Sequence, residues 1–496
     1  MSDAVLALDQ GTTGTTALVI ARDGEILGRG YTELPQHYPR PGWVEHDGEE
    51  IWATTMTSAR EALREAGMRS REVVALGLTN QRETTLIWDK ATGRPVHRAI
   101  VWQSRQTAEI CRDLERAGLS ELVRERTGLV IDAYFSATKA RWILDREPDL
   151  QRRAERGELL FGTVDSWLVW RLSGGQVHVT EPTNASRTML FDIHRRAWDD
   201  ELLEALHLPR EMLPEVAPSS ARTFAETSGV DGLVDGLPIA GIAGDQQAAL
   251  FGQGCWSAGQ AKNTYGTGCF LVMNTGERAV TSVDGLLTSL ACEASGRPVY
   301  CLEGSVFSAG SAVQWLRDEL RMLHRAEESE TLARSIDDTG GVYLVPAFSG
   351  LGSPYWDMDA RGAIVGLTRG TGRAELVRAA LESIAYQTCD VLQVMRRDAG
   401  VPVNELRVDG GASANNFLMQ FQADLAQVPV DRPMLVESTA LGAAFLAGLT
   451  VGFWPDHDAV AAVRHSDRRF TPSMDAERRE NLYAGWKRAV SRVLTG

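Results

Sequence analysis

The chain has 496 residues, 44% of them hydrophobic and 24% charged, which is the balance of an ordinary globular protein with two or three domains. Its formal net charge of −15 at pH 7 argues against a broad nucleic-acid-binding surface, because such a surface needs clustered lysine and arginine against phosphate. A small anionic ligand in a local pocket is still compatible with this charge.

The six cysteines indicate a reducing compartment, because no two of them stand at C-x-x-C spacing and neither a zinc site nor a disulfide framework is expected. They are Cys111, Cys255, Cys269, Cys292, Cys301 and Cys389. The N-terminus lacks a basic segment followed by a long apolar run, and no apolar stretch reaches the roughly 18 residues of a membrane span. We therefore expect a cytoplasmic protein without membrane insertion.

The chain begins with a predicted β-hairpin whose turn suits a phosphate. Residues 5–8 and 17–20 are apolar runs, and Asp9-Gln10-Gly11-Thr12-Thr13-Gly14 lies between them. A strand that ends in Asp before small residues presents a carboxylate beside backbone N–H groups and hydroxyls. Such a turn can hold a phosphate, with Mg²⁺ bound by the carboxylate through water. The alternative is an ordinary hairpin turn.

Helical and strand patterns then alternate along the first half of the chain. Asp23-Gly24 indicates a second hairpin turn. Residues 51–66 and 107–119 have helical spacing, and residues 73–78 read as a strand. This alternation predicts mixed α/β layers rather than a helical bundle or a β-sandwich.

The strand predicted at residues 73–78 ends in a segment that contains Arg82 and Glu83. Together they offer a donor fork and an acceptor, which is the pairing needed to hold vicinal hydroxyls. Trp102 and Tyr134 could form the apolar wall of a small polyol pocket. The alternatives are a solvated charge pair at a strand end and two aromatic residues of the core.

A second apolar strand is predicted at residues 239–244. Asp245 directly follows it, at the predicted start of a short helix that ends by Gly252. An aspartate in that place either caps the helix or, in a cleft, acts as general base for a substrate hydroxyl. The residue pattern leaves both roles open.

A weak internal repeat indicates two lobes. Residues 261–273 again give strand, turn and strand, with Gly266-Thr267-Gly268 as the turn. Two such hairpins about one domain length apart suggest duplicated lobes that face a common cleft. Residues 214–236, rich in Pro, Ser and Gly, look like the connection before the second lobe. We predict lobes at residues 1–250 and 251–496.

A Gly-rich segment follows the strand predicted at residues 406–408. It reads Asp409-Gly410-Gly411-Ala412-Ser413-Ala414-Asn415-Asn416, and a helix is expected from Phe417. Paired glycines let a ligand approach the backbone, which suits the phosphates or ribose of a nucleotide. A plain strand-to-helix connection is the alternative.

Several common motifs are absent from the sequence. It contains no G-x-x-x-x-G-K-[ST], G-x-G-x-x-G, H-E-x-x-H or G-x-S-x-G pattern. A P-loop kinase, a Rossmann dehydrogenase, a zincin and a serine hydrolase are thereby excluded. The nine histidines form no metal-ligand pattern, and we expect them to be structural or solvated.

Taken together, these segments resemble the FGGY family of carbohydrate kinases, and within it the enzymes that phosphorylate glycerol. The similarity runs almost from end to end, from residues 7–13 to residues 483–487. The family's two general signatures fall at residues 134–145 and 362–382. The most specific segments are Pro41-Gly42-Trp43-Val44-Glu45-His46-Asp47, Thr79-Asn80-Gln81-Arg82-Glu83-Thr84-Thr85, Gly244-Asp245-Gln246-Gln247-Ala248-Ala249-Leu250-Phe251-Gly252 and Lys262-Asn263-Thr264-Tyr265-Gly266-Thr267-Gly268.

The resemblance implies an α/β, two-lobed, actin-like (ribonuclease-H-like) ATPase fold with the active site in the interlobe cleft. It implies ATP and Mg²⁺ as cofactors, ADP and sn-glycerol 3-phosphate as products in glycerol catabolism, and a homodimer or homotetramer. The first lobe would bind substrate and phosphate, and the second lobe the nucleotide.

The resemblance also assigns roles to single residues. The glycerol-contacting positions are Arg82, Glu83, Tyr134, Asp245 and Gln246, with Trp102 and Phe270 as the aromatic wall. The nucleotide positions are Thr12, Thr13, Gly14, Thr267, Gly310, Gln314, Gly411 and Asn415. Asp245 matches the catalytic base, and Asp9 and Asp245 are the carboxylates expected near Mg²⁺.

The chain departs from the family pattern in three places. Thr16 stands where these kinases commonly carry an arginine, so a cation near the transferred phosphate is missing. Residues 230–236 contain acids and no arginine where some relatives bind fructose 1,6-bisphosphate, so we expect inhibition by that sugar to be weak or absent. Residues 219–224 contain no histidine for phospho-histidine activation.

Two other functions are weighed against glycerol phosphorylation. A different FGGY kinase would act on a pentulose or another polyol, but Gln81-Arg82-Glu83 differs from the Met-His-type segment of the pentulose kinases. An actin-like assembly protein would need a nucleotide site without a polyol clamp. The presence of Arg82, Glu83, Tyr134 and Gln246 together argues against it.

Overall fold

The protein is described by a computed structural model that covers residues 3–292 and 297–495. Two large mixed sheets, each flanked by helices, dominate it. The predicted lobes at 1–250 and 251–496 also contain residues 1, 2, 293–296 and 496, which lie outside the described residues. Among the helices of the described ranges, none combines the length and apolar character that a membrane span needs.

The first sheet brings three polar strand ends to one edge. Its strands are, in spatial order, Ala225–Glu226, Pro238–Gly244, Val73–Asn80, Ala4–Gln10, Gly14–Ala21 and Ile26–Glu33. The strand that holds Asp9 pairs antiparallel with the next one and parallel with Val73–Asn80. Val73–Asn80 in turn pairs parallel with Pro238–Gly244. Since the carboxyl ends of parallel strands meet at one edge, Asp9, Arg82 and Asp245 arrive there together.

The second sheet repeats this arrangement. Its strands are, in spatial order, Leu287–Ala291, Val299–Val306, Cys269–Gly276, Ala261–Tyr265, Leu406–Asp409, Val430–Pro433 and Ser466–Phe470. Ala261–Tyr265 pairs antiparallel with Cys269–Gly276 and parallel with Leu406–Asp409. The predicted second hairpin is therefore confirmed, and its turn lies at the same edge as the Gly-rich segment after Asp409.

The remaining elements surround the two sheets. In the part of the chain that the structure describes, five two-stranded sheets pair Glu45–His46 with Ala99–Ile100, Leu86–Asp89 with Leu159–Gly162, Val179–Thr180 with Glu215–Val216, Phe191–Asp192 with Ala197–Trp198, and Tyr343–Val345 with Ala363–Val365. The α-helices are Gly48–Glu65, Ala108–Arg116, Ser120–Thr127, Ser136–Leu144, Pro148–Glu155, Val164–Leu172, Pro182–Ala185, Asp200–Ala205, Asp245–Gly252, Gly310–Asp318, Glu328–Arg334, Arg373–Ala399, Asn416–Ala426, Ser438–Thr450, His457–Val463 and Ala476–Val490. Short 3₁₀ turns lie at Ser70–Glu72, Arg210–Met212 and Gly411–Ala414.

The first strand is a continuous apolar run because helices cover both faces of its sheet. Val5 and Ala7 belong to the core cluster that contains helix Ser438–Thr450, while Leu6 and Leu8 belong to the cluster on the opposite face. Residues 214–236, expected as a connection, also contribute the edge strand Ala225–Glu226 to this sheet.

Helix Ser438–Thr450 comes from the second half of the chain but packs against the helix that begins at Asp245. Glycines allow the two helices to touch. A Cβ at Gly442 would lie 1.9 Å from the Ala248 carbonyl oxygen, and a Cβ at Gly252 would lie 2.1 Å from the Ser438 carbonyl oxygen. Neither position has room for a side chain, so the helix that carries Asp245 is fixed by both halves of the chain.

Candidate active site

Arg82 lies at the centre of a buried ion-pair network. Its Nη1 and Nη2 donate to the two carboxylate oxygens of Glu303 at 2.6 and 2.8 Å, a bidentate geometry. Nη1 also donates to Gln247 Oε1 at 3.1 Å, and Nε lies 3.1 Å from Asp245 Oδ1. Burial alone would raise the pKa of Glu303, but the guanidiniums of Arg187 and Arg82 outweigh it and lower that pKa to about 2.

Glu83 is held from the other side by Arg187. The Arg187 Nε donates to Glu83 Oε1 at 2.6 Å, and its Nη1 donates to Ser289 Oγ at 3.0 Å. Burial raises the pKa of Glu83, and Arg187 and Arg82 oppose that rise. Both Arg82 and Glu83 are buried, so the solvated charge pair considered above is excluded.

Three half-buried aromatic rings line this network. Trp102 packs edge-to-face against Tyr134 and Phe270, with ring centroids 5.6 and 6.5 Å apart. Its indole Nε1 donates to Thr12 Oγ1 at 2.8 Å, which ties the wall to the first turn. The Arg187 guanidinium lies 5.4 Å from the centroid of Tyr134. The predicted wall residues are thus brought together beside the predicted clamp.

Asp245 is the first residue of its helix, and Gly244 is the cap residue. Asp245 therefore does not cap this helix, and the capping role considered above is wrong. Its Oδ1 accepts from the Gln246 backbone N–H at 2.6 Å and faces Arg82, while 30% of the side chain stays exposed. Burial raises the pKa of Asp245, and the cations of Arg82 and Lys262 oppose the rise.

Asp9 lies near enough to Asp245 for their charges to interact. Burial raises the pKa of Asp9 to about 8, and the carboxylates of Asp245 and Glu437 add to the rise. Over the residues that the structure describes, no three His, Cys, Asp or Glu side chains converge into a protein cage for a metal. Two neighbouring carboxylates suit Mg²⁺, which keeps most of its water ligands and takes one or two carboxylates.

Gln246 is oriented by a lysine of the second sheet. The Lys262 ammonium donates to Gln246 Oε1, and at 2.8 Å to Thr264 Oγ1. Burial lowers the pKa of Lys262, and the carboxylates of Asp409 and Asp245 oppose the drop. Lys262 thereby adds a buried cation beside the predicted base.

The first predicted phosphate turn is held by its carbonyl groups. The Thr12 carbonyl accepts from Gln36 Nε2 at 2.7 Å, and the Thr13 carbonyl accepts from the Leu34 N–H at 2.9 Å. Gly14 closes the turn with a hydrogen bond of 2.9 Å from the Gly11 N–H. These bonds fix the backbone while the Thr13 side chain stays exposed.

The second predicted phosphate turn abuts the N-terminus of helix Gly310–Asp318. The Thr267 carbonyl accepts from the backbone N–H of Ala309 at 2.8 Å, and the Gly266 carbonyl from that of Gly310 at 3.0 Å. A Cβ at Gly310 would lie 2.6 Å from the Gly266 carbonyl oxygen, so only glycine allows this approach. Thr267 and Gly310 therefore lie side by side, and Gln314 lies one turn further along the helix that begins at Gly310.

The Gly-rich segment that follows Asp409 lies against the same turn. Gly410 has φ +82°, and a Cβ there would lie 2.6 Å from the Tyr265 carbonyl oxygen. Among the described residues, other than its two chain neighbours, none comes within 4 Å of a Cβ built at Gly411, so that face is open. Asn415 caps helix Asn416–Ala426, because its Oδ1 accepts from the Leu418 N–H at 3.0 Å. The nucleotide contact of Asn415 stays a prediction.

Sequence reasoning did not name Glu303, Arg187 and Lys262 as site residues. A signal was present for one of them, since Glu303 is a charged residue that directly follows the apolar run at residues 299–302. Such a residue must find a partner when it is buried. The sequence does not say which partner, because Glu303 lies 221 positions from Arg82.

The chain is similar to a well-defined group of proteins. The N-terminal domain of the FGGY family of carbohydrate kinases matches residues 4–252, and the C-terminal domain of that family matches residues 261–451. "Glycerol kinase" of Symbiobacterium thermophilum is 59% identical over 491 residues, which are 99% of this chain and 98% of that protein. "Glycerol kinase 2" of Thermotoga maritima is 58% identical over 493 residues, again 99% and 98%.

Solved structures show the same fold. The structure of Plasmodium falciparum glycerol kinase with ADP has a TM-score of 0.94 at 34% identity and covers 100% of this chain and 99% of that one. A gluconate kinase from Lactobacillus acidophilus has a TM-score of 0.88 at 19% identity, over 99% and 98% of the two chains, and supports the fold alone. The predicted two-lobed, actin-like fold is confirmed.

Proposed function

The chain belongs to the FGGY family of carbohydrate kinases, and on that premise we propose that it transfers the terminal phosphoryl group of ATP to glycerol, forming ADP and sn-glycerol 3-phosphate. The observation that carries the proposal is the polyol clamp. Arg82, Glu83, Asp245 and Gln246 follow strands that end at one edge of the first sheet, where the turn after Asp9 also lies, and Tyr134 packs there against Trp102 and the Arg187 guanidinium.

Asp245 is the general base of the proposed reaction. It accepts the proton of the terminal glycerol hydroxyl while that oxygen attacks the γ-phosphorus and the bond to the β-phosphate oxygen breaks. Its contacts with Arg82 and Gln246 both fall on Oδ1, and the partly exposed side chain remains accessible to the substrate. Burial raises the pKa of Asp245 and makes it a stronger base, while Arg82 and Lys262 favour the ionised form that can accept a proton.

Asp9 and Asp245 would hold Mg²⁺ in this proposal. When bound, the ion would neutralise phosphate charge and keep the β- and γ-phosphates in line for transfer. The raised pKa of Asp9 supports this assignment, because buried carboxylates near one another are a site where a cation is favourable. The Thr12–Gly14 turn and the Thr267 turn would position the phosphates. The rest of the nucleotide would be contacted by Gly310, Gln314, Gly411 and Asn415.

The clamp explains selection for a polyol. Arg82 and Glu83 are buried with fixed partners, so a hydroxyl of glycerol meets donors and acceptors that need no rearrangement. A substrate analogue that lacks a hydroxyl would leave the hydrogen-bonding capacity that these groups direct at the substrate unused, which costs binding energy. Trp102 and Phe270 would contact the carbon backbone.

We expect a homodimer or homotetramer, which sedimentation with and without ATP and glycerol would measure. An ATP-dependent polymer in place of a defined oligomer would favour the actin-like assembly protein. The cytoplasmic location stays a prediction.

A substrate panel tests the activity. ADP formation is followed with glycerol, D-xylulose, erythritol and water as acceptors, and we expect glycerol to have the highest kcat/KM. A higher kcat/KM for D-xylulose or erythritol would contradict the proposal and favour another polyol or pentulose kinase.

The base role is tested with Asp245→Asn. This variant should lose glycerol phosphorylation by a factor of at least about 10² while ATP binding is largely retained. Asp47→Asn is the matched control, because Asp47 caps helix Gly48–Glu65, asparagine caps a helix about as well, and glycerol turnover should stay unchanged. Turnover retained in Asp245→Asn would remove Asp245 from the base role.

A further inference from the structure

Lys139 is a buried lysine that the proposed reaction does not use. It lies in helix Ser136–Leu144, and its side chain is fully shielded from solvent, with a relative exposure of 0%. Burying a lysine is unfavourable unless its ammonium finds partners that compensate for lost water. The partners of Lys139 therefore indicate why a lysine is there.

Both partners are backbone carbonyls of the polyol clamp. The Lys139 Nζ donates to the Glu83 carbonyl oxygen at 3.0 Å and to the Tyr134 carbonyl oxygen at 2.5 Å. Glu83 and Tyr134 lie on separate segments of the first lobe. One ammonium thus joins the backbone of the acidic clamp residue to the backbone of the aromatic wall.

The backbone of Glu83 needs such support. Glu83 has φ +59°, in the left-handed region that residues other than glycine seldom adopt. Three side chains converge on its carbonyl, because Ser136 Oγ at 3.0 Å and Thr85 Oγ1 at 2.9 Å donate to the same oxygen as Lys139. This conformation turns the Glu83 side chain to Arg187, and the three donors hold it there.

The charges around Lys139 are consistent with a role in this network. Burial lowers its pKa to about 7, while Glu83, Asp132 and Cys111 oppose the drop and Arg105 adds to it. A lysine in this place remains a hydrogen-bond donor in either protonation state, since a neutral amine still carries two N–H bonds.

We propose that Lys139 is a positioning residue for the substrate: it fixes the Glu83 and Tyr134 backbones at the spacing that the polyol requires. It acts through these two residues and does not touch the substrate. The inference rests on the proposed function, because it takes Glu83 and Tyr134 as the groups that contact glycerol.

A KM-against-kcat comparison separates positioning from a purely structural role. Lys139→Met keeps an unbranched apolar side chain, one heavy atom shorter than lysine, and removes both hydrogen bonds. Losing two hydrogen bonds should raise the KM for glycerol at least about tenfold. The KM for ATP should stay within about threefold. A purely structural lysine would lower the melting temperature and the active fraction and leave the KM for glycerol unchanged, which would overturn the proposal.

A second variant covers the case in which Lys139→Met does not fold. Ser136→Ala removes another donor to the Glu83 carbonyl and keeps Lys139, so we expect the KM for glycerol to rise about two- to threefold. An unchanged KM in Ser136→Ala would then overturn the proposal. Lys90→Met, an exposed lysine of the same lobe, is the matched control and should behave as wild type.

Assaying the wild-type protein with glycerol distinguishes a failure of this inference from a failure of the proposed function. If the wild-type protein does not phosphorylate glycerol, the proposed function is wrong, and the variants are compared on the best acceptor of the panel. If the wild-type protein phosphorylates glycerol and Lys139→Met keeps its KM, the function stands and the positioning role fails.

Discussion

Replacing Glu303 with glutamine tests whether an ion pair between the two halves of the chain holds the substrate clamp. The Glu303→Gln change keeps the size of the side chain and removes its charge. In the native site Glu303 is fully buried, accepts from Arg82 at 2.6 and 2.8 Å, and lies 3.5 Å from Arg187 Nη2. The variant leaves two buried guanidiniums with less compensating charge.

The size of the effect follows from these contacts. A hydrogen bond to a charged group contributes about 1.5–3 kcal/mol, and each 1.36 kcal/mol is a factor of ten in rate or affinity. Loss of one charge-assisted bond to Arg82 should therefore lower kcat/KM for glycerol by about ten- to a hundredfold. The unfolding free energy should fall by about 3 kcal/mol, the lower end for a broken buried ion pair, because glutamine keeps one acceptor.

The pH dependence of this difference has a defined sign. The pKa of Glu303 is lowered from 4.5 to about 2, so its carboxylate stabilises the folded state fully above about pH 4.5. That contribution is lost as the pH falls from about 4.5 through about 2. The stability difference between wild type and Glu303→Gln should accordingly be constant between pH 6 and pH 8.

The assay measures ADP formation over a range of glycerol concentrations, together with thermal unfolding. Glu382→Gln is the matched control, because Glu382 is also buried and pairs with Arg378 at 2.8 Å within helix Arg373–Ala399, away from the clamp. Both variants should melt at a lower temperature, and only Glu303→Gln should lose kcat/KM for glycerol. If the kcat/KM of Glu303→Gln stays within twofold of wild type, the clamp does not depend on this ion pair.

Thr16 is paired with Asp9 in the hairpin register, so Thr16→Arg places a cation opposite Asp9. We expect kcat/KM for ATP to rise about tenfold. An unchanged or lower value would show that another cation already fills this role. The folded-state pKa of Lys139, about 7 against an ordinary 10.5, means that the folded protein binds fewer protons than the unfolded chain in that window. The difference in unfolding free energy between wild type and Lys139→Met should thus rise by up to about 1.4 kcal/mol per pH unit above pH 7. The same difference in melting temperature between the two proteins at pH 7 and at pH 9 would contradict this prediction. Millimolar fructose 1,6-bisphosphate should leave glycerol turnover unchanged. Asp231, in the segment of residues 230–236, lies 3.3 Å from Arg60 and adds negative charge where the sugar phosphate would bind. Inhibition of turnover by half would contradict this prediction.

Local chemistry explains which parts of the site could be predicted. The turn that follows Asp9 and the helix that starts at Asp245 are set by residues next to them in the chain, since apolar strands, small turn residues and helix starts are short-range features. The α/β class also follows from alternating patterns. A weak internal repeat indicated two lobes, and the family resemblance supplied the actin-like topology and decided between the alternative roles of single residues.

Other features depend on contacts that no local pattern records. Residue chemistry alone left Asp245 open as a cap or a base, and only the structure shows that Gly244 takes the cap position. The buried state of Arg82 and Glu83 likewise depends on Glu303 and Arg187, which lie 221 and 104 positions away from them respectively. Long-range ion pairs have no sequence period, and a charge inside a strand predicts only that a partner exists.

The contact between Arg82 and Glu303 also bears on how the two substrates cooperate. Arg82 follows a strand of the first sheet, and Glu303 lies within a strand of the second sheet. The arginine assigned to glycerol is therefore oriented by the lobe assigned to the nucleotide. Any motion that separates the sheets must break two charge-assisted bonds and draw Glu303 away from the guanidinium that faces Asp245. Nucleotide binding that favours the present arrangement of the lobes would for this reason strengthen glycerol binding, and glycerol would strengthen nucleotide binding by the same factor.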